Sequence, residues 1–293
     1  MATTVLGLKT FTASDPVDYN EINDNYNKID NGVKTAMQGR AAHNLLDNSN
    51  FQINQRGKTS WADWSNYTVD RWIFRDNPVS EASVGVSGMS ITTGSSEIYF
   101  EQSFDKSAMQ CYIGKPLTLV FSTNEGLLIK KWTVVDGSYS REYIGNFQMT
   151  IGCLTNFWID IVVPANKTIN IYWAALYEGS YTADTIPAYQ PKGYAAELSE
   201  CQRYYYAVDN ELFLSAWADK NGCLDYTVLL PQTMRAIPTV TFDKLQYIDE
   251  SGYVSFTNSP YYTGRDRVAI RKLGLTPNKS YGLAMKFSAS ADL

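Results

Sequence analysis

The sequence predicts a mainly β protein: an N-terminal coiled-coil helix followed by two β-sandwich, jelly-roll-like domains. Three observations point there. Twenty-one Tyr, seven Trp and twelve Phe in a chain of 293 residues with only 19% charged side chains favour pleated, half-buried surfaces. Short strand-like runs punctuated by turn signals recur from residue 44 to the last residues, the pattern of sandwiches. Near the N-terminus, apolar residues instead recur at alternating spacings of three and four, the seam of a coiled coil.

Residues 1–42 form the first expected unit, an arm and a helix. Residues 1–13 read as extended, and Ser14-Asp15-Pro16 offers a side-chain acceptor before a Pro at the first helical position. The apolar seam runs through Tyr19, Ile22, Tyr26, Ile29, Val33 and Ala36. It is narrow, so it calls for partner helices or for packing against its own chain. Asn20, Asn23, Asn25, Asn27 and Asn31 fill other positions, and asparagine is a poor helix former, so the helix needs such packing to be stable. Ile alternating with Tyr does not follow the dimer rule of a β-branched residue at one core position and Leu at the other. The bundle is expected to break near Gly39.

Residues 43–190 form the second unit, a sandwich akin to carbohydrate-binding modules. Strands are expected at 82–86, 89–92, 98–104, 117–122, 127–135, 147–151, 157–163 and 168–177, separated by Ser87-Gly88, Gly114-Lys115-Pro116, Asp136-Gly137 and Pro164-Ala165-Asn166-Lys167. Residues 191–293 form the third. A Pro- and Gly-containing linker at 183–194 leads to a short helix at 195–203. Strands follow at 204–208, 212–217, 223–230, 239–242, 245–248, 253–257, 268–272 and 281–289.

Charge and cysteine usage limit the partners. A net charge of −5 argues against duplex nucleic acid or an anionic membrane as the main partner, because polyanions are held by clustered Lys and Arg; neutral sugars remain compatible. The chain has no run of 18 apolar residues, and the N-terminal residues lack a basic segment followed by an apolar one, so no membrane span or secretory signal is expected. Cys111, Cys153, Cys201 and Cys223 are far apart and without nearby His, which reads as buried free thiols rather than a zinc site. A Cys201–Cys223 bridge fits the spacing but not a reducing cytosol.

Two stretches carry a family resemblance. Asn44, Leu45, Leu46, Asn48, Phe51, Ile53, Gln55, Arg56 and Gly57 lead to Tyr67, Thr68, Asp70, Arg71 and Trp72; about a domain later come Glu197, Leu198, Cys201, Gln202, Arg203, Tyr204 and Tyr205. This pattern resembles the tail-fibre and receptor-binding proteins of tailed bacteriophages and prophages. The run from Leu229 to Val240, with Pro231, Met234, Arg235, Ala236, Pro238 and Thr239, is similar to a segment of the C-terminal domains of the same family. The resemblance implies a virion tail protein, assembled in the host cytoplasm and attaching to a bacterial surface. It also favours a parallel homotrimer for the helical seam, docked to the tail or baseplate through the N-terminus. It brings no catalytic motif.

The residues themselves offer little chemistry. Nucleophilic triads need an imidazole, and the one histidine, His43, lies in the linker before the first core. Phosphate-loop, metalloprotease and EF-hand motifs are absent, so no metal or other cofactor is expected. A glycosidase needs only two carboxylates, but nothing selects among Asp70, Asp105, Asp136, Asp160, Asp225, Asp243, Asp249 and Asp266.

Two aromatic clusters could bind sugar, whose C–H faces stack on rings while polar groups fix orientation. One is the stretch from Trp61 through Trp64 to Tyr67; its bland reading is a cap on the sandwich edge, with Asp70-Arg71-Trp72 as an ion pair and core Trp. The other is Tyr247, Tyr253, Asn258, Tyr261, Tyr262, Arg265, Asp266 and Arg267; its bland reading is packing between neighbouring C-terminal domains. The leading expectation is a homotrimeric, non-enzymatic protein binding bacterial surface polysaccharide. Its rivals are a purely structural tail or baseplate component and a glycan hydrolase.

Overall fold

The structure is a computed structural model that describes residues 8, 18–38, 42–62, 67–75, 81–208, 210–256 and 262–293, with backbone alone at 34–38. Helix α1 spans Tyr19–Gln38. Asp18 opens it, its carboxylate accepting the Asn20 N–H at 2.9 Å, and the Asp24–Lys28 pair supports the first turns. The expected start at Ser14-Asp15-Pro16 and the break at Gly39 lie outside the described residues. Tyr19, Tyr26, Ile29 and Val33 are all exposed, so these four seam positions are not covered by the described residues. Ile22 is half-buried, and Ala36 lies within the helix.

Eleven strands follow: β1 Ser60–Trp61, β2 Trp72–Arg75, β3 Glu81–Gly85, β4 Gly88–Thr92, β5 Ile98–Asp105, β6 Pro116–Thr123, β7 Gly126–Thr133, β8 Ser138–Ile144, β9 Phe147–Cys153, β10 Asn156–Val163 and β11 Thr168–Glu178. They make two antiparallel sheets, ordered β1-β3-β4-β11-β6-β7 and β2-β5-β10-β9-β8. Alternation turns Trp72, Phe74, Phe100, Met149, Ile151, Ile159 and Ile161 of the second sheet against Ile91, Leu119, Phe121 and Ile171 of the first, in one shared core. Strand β8 is absent from the sequence-based expectation. It sits at a sheet edge, and its Ser-Tyr-Ser-Arg-Glu-Tyr run is mostly exposed, so no hydrophobic alternation marks it.

Beyond helix α2, Tyr194–Cys201, lie β12 Tyr205–Ala207, β13 Leu212–Trp217, β14 Leu224–Leu229, β15 Thr239–Asp249, β16 Gly252–Ser255, β17 Tyr262–Thr263, β18 Arg267–Lys272 and β19 Ser280–Ser290. β12 and β13 pair in tandem with one side of β19, and β15 with the other. β14-β18-β17 form a smaller sheet, and Met285, Phe287, Val268 and Ile270 share the core between the two. The two runs expected at 239–242 and 245–248 are one strand, β15, interrupted by a bulge between Phe242 and Lys244. All four cysteines are free. Cys153 and Cys201 are buried as expected, but Cys223 is only half-buried and Cys111 is exposed, the latter because its 3-10 turn, Gln110–Tyr112, lies on the surface.

The residues that carry the family resemblance build the junction between the two β bodies. The Asn48 amide donates to the carbonyls of Ile53 and Asp70, each at 2.8 Å, and its oxygen accepts the Ile53 N–H at 2.9 Å. Asn48 also adopts a positive φ of 48°, which asparagine tolerates better than most residues. The Trp72 indole donates to the Asn48 carbonyl at 3.0 Å. Arg71 is 1% exposed; it pairs with Asp47 at 2.9 Å and stacks on Tyr204. Arg56 bridges Asp70 and Asp292 and lies 3.8 Å from the Tyr205 ring centroid. Burial pushes Asp70 up to about 6, despite the opposing pull of Arg56 and Gln55. The Asp70-Arg71-Trp72 stretch is therefore structural, although Arg71 pairs with Asp47 and not with its neighbour.

Candidate functional site

The outer face of the β2-β5-β10-β9-β8 sheet concentrates the chemistry. Cross-strand register sets its side chains in three rows. Ser103, Trp158, Gly152 and Tyr139 form the first; Ile73, Glu101, Asp160, Thr150 and Arg141 the second; Arg75, Tyr99, Val162, Gln148 and Tyr143 the third. Rows repeat every two residues, roughly 7 Å, and strands every 4.8 Å or so. Ser103, Gly152, Ile73, Glu101, Asp160, Thr150 and Val162 are buried, so the accessible part of the face runs along β8, with Trp158, Tyr99, Gln148 and Arg75 half-buried beside it.

Trp158 is the platform. A Cβ at position 152 would come within 2.2–2.5 Å of three atoms of its six-membered ring, so glycine is what lets the indole pack down on the strand. Tyr139, on the far side of Gly152, reaches within 6.4 Å of it, ring centroid to ring centroid. Tyr139 and Tyr143 are 58% and 70% exposed. An edge strand that spends two outward positions on exposed tyrosines is shaped for contact with something other than its own core.

A polar layer lies beneath and beside these rings. Arg141 reaches back across the sheet, donating to the Thr150 hydroxyl at 3.2 Å and lying 5.2 Å from the Tyr99 ring centroid. Glu101 pairs with Arg75 at 2.9 Å and accepts the Ser103 hydroxyl at 2.5 Å. Asp160 is only 2% exposed, and its Oδ1 has no hydrogen-bond partner. Burial, with help from the Glu101 charge, pushes its carboxyl up to about 7 against the pull of Thr150, Arg141 and Trp158. Asp160 is thus an acid held half-protonated near neutrality, under a roof of aromatic and guanidinium groups.

The clusters read from sequence fare differently. Trp61 is 2% exposed and part of the sandwich core, so it presents no face to a ligand; the capping reading holds for it. Trp64, Asn258 and Tyr261 lie outside the described residues. Tyr247 is half-buried and packs on Tyr281 and Phe256, centroids 5.9 and 6.1 Å away, because its position on β15 turns inward. Tyr253 is exposed on the other face of that sheet, under Lys244. Tyr262 is exposed on the short sheet. Arg265 donates to the Met234 carbonyl at 2.6 Å, which holds a loop, and Asp266 is engaged by its neighbour Arg267. Tyr247, Tyr253 and Tyr262 therefore belong to three different surfaces.

Reasoning from sequence missed Trp158, Tyr139, Arg141 and Tyr143. The available signal was a Gly152-to-Trp158 pairing across one hairpin, legible only once the register is known. Among the described residues no group of three or more His, Cys, Asp or Glu could hold a metal ion, and no helix is long and apolar enough to cross a membrane. No protein-family model matches the chain, and no curated protein matches it.

Proposed function

We propose that this chain is a receptor-binding protein of a bacteriophage tail, which attaches the virion to bacterial surface polysaccharide through the outer face of the five-stranded sheet. The observation that carries the reading is Trp158, half-buried over Gly152 with the exposed Tyr139 beside it. A partly accessible ring beside hydroxyl and guanidinium groups suits stacking on a sugar. The two facing sheets suit a jelly roll of the carbohydrate-binding kind. The open stripe of α1 suits a parallel trimeric coiled coil that docks to the tail or baseplate. Three weak sites on one particle gain roughly 10² to 10⁴ in apparent affinity through effective concentration.

The reading needs no cofactor and no catalysis. Glu101 and Asp160 sit opposite each other on β5 and β10, but they are 7% and 2% exposed, which suits support of a binding face better than attack on a glycosidic bond. The test is binding of the purified chain to host cells and to wall polysaccharide, beside Trp158→Ala. Binding that the variant loses supports attachment. No binding by the intact protein favours a purely structural tail component, and release of reducing ends favours a hydrolase.

A further inference from the structure

We infer that the polysaccharide held on the five-stranded sheet is acidic, its carboxylate or phosphate groups engaging Arg141 while a neighbouring sugar ring stacks on Trp158. The inference rests on the glycan reading above and adds the class of ligand. It runs against the overall charge of −5, so it has to be argued from the local balance.

Four ionisable side chains of opposite sign occupy the second and third rows: Arg75, Arg141, Glu101 and Asp160. Arg75 and Glu101 neutralise each other at 2.9 Å. Asp160 is buried, with an oxygen that no donor reaches, and its raised carboxyl leaves it about half-charged near pH 7. Among the described residues no carboxylate lies within 4.0 Å of the Arg141 guanidinium, whose contacts are the neutral hydroxyls of Thr150 and Tyr99 at 3.2 and 3.4 Å. The residue is exposed. The buried Asp160 acts on Arg141 from beyond contact distance, and Glu97 is reached only through the Tyr99 hydroxyl, which donates to it at 3.0 Å. A guanidinium oriented by two hydroxyls and a ring, with no carboxylate in direct contact, can take an anion from outside.

Placement fixes which anion can use it. Arg141 lies one row from Trp158, two residues along β8 from both Tyr139 and Tyr143, so roughly 7 Å separates the cation from the aromatic rows on either side. An inorganic anion would use the charge alone and leave the rings bare. A polymer of sugars bearing regularly placed acid groups would occupy both, stacking one unit and presenting the acid of the next.

The experiment compares uronate-containing bacterial polysaccharides with their carboxyl-reduced, neutral counterparts by calorimetry on the full chain, with poly(glycerol phosphate) as the phosphate-bearing probe. Acidic forms should bind about tenfold or more tightly than the reduced ones, as befits a charge-assisted hydrogen bond, and lose that margin in high salt. Arg141→Gln should erase the margin, bringing the acidic forms down to the affinity that the same variant shows for the neutral ones; Trp158→Ala should weaken both forms. Equal affinity for acidic and reduced forms, or a margin that survives Arg141→Gln, overturns the inference and leaves glycan attachment standing. Failure of every polysaccharide to bind overturns both. Uronate binding without poly(glycerol phosphate) binding would assign the carboxylate, and the reverse the phosphate.

Discussion

The guanidinium of Arg71 lies 3.3 Å from the centroid of the Tyr204 ring, and both residues are buried where the two β bodies meet. Arg71 follows Asp70 at the head of β2, whereas Tyr204 follows α2, so the stack ties the first sandwich to the strand that begins the second. Asp47 and the Ser103 carbonyl complete the site at 2.9 and 2.6 Å. A desolvated stack of this kind contributes about 2 kcal/mol.

Removing either partner should therefore be costly in different ways. Arg71→Ala leaves the Asp47 carboxylate with only Lys192, 3.9 Å away, and empties a fully buried site, and should destabilise the chain by about 3 kcal/mol. Tyr204→Leu keeps the ion pair and should cost about 2 kcal/mol. Urea denaturation followed by tryptophan fluorescence measures both. If Tyr204→Leu leaves the midpoint unmoved, the stack contributes nothing to the junction.

Stability should fall as pH rises from about 4 to about 7. Asp160 and Glu197 both titrate near 7 in the folded chain, each pushed up chiefly by burial, against 3.8 and 4.5 for the free side chains. The folded form therefore binds their protons more tightly than the unfolded one, so their stabilising effect is complete below pH 4 and is lost as each ionises. Asp160→Asn cannot ionise, and its amide can donate towards Glu101 opposite. At pH 8 this variant should be more stable than the parent, by on the order of 2–4 kcal/mol, and the gap should close by pH 4. Thermal melts at the two pH values decide it; a gap independent of pH would refute the account.

Gly152 should be as important to binding as the ring it carries. Gly152→Ala places a methyl where the Trp158 indole lies, so the indole must lift from the sheet. The strand itself accepts alanine, and the overpacking should cost about 1–3 kcal/mol, well short of unfolding. Affinity for polysaccharide should fall towards that of Trp158→Ala, with a shift in the tryptophan emission. Retained affinity would show that this pose is not what the ligand uses.

The sandwiches were legible in sequence because their strands bury one or both faces. The segments 98–104, 117–122, 157–163 and 168–177 match β5, β6, β10 and β11 to within a residue or two, since runs such as Leu-Thr-Leu-Val-Phe have no other stable environment. The candidate site was not legible, for the converse reason. Arg141, Tyr139 and Tyr143 lie on an edge strand exposed at most positions, where nothing in the local pattern distinguishes a strand from a polar loop. Asp160 stood among eight equivalent aspartates, and only its pairing with Glu101 and Thr150 sets it apart. Trp61 misled because a Trp in a polar stretch looks exposed, whereas β1 pairs with β3 and carries the ring inward.

The helix seam gives the last test, and it separates assembly from folding. Ile29 is 40% exposed and Val33 50% exposed on a helix whose many asparagines leave it weak by itself. Burying such a stripe against two identical helices would remove apolar surface at about 25 cal/mol per Å², whereas an aspartate in the seam would place like charges face to face. Ile29→Asp should therefore convert a trimer to monomers in sedimentation equilibrium and cut binding to host cells far more than binding to a single soluble oligosaccharide. The melting temperature of the β bodies should stay within a few degrees, because none of α1's described side chains belongs to either of their cores. A parent chain that already sediments as a monomer would remove the trimer, and with it the avidity on which the proposed attachment rests.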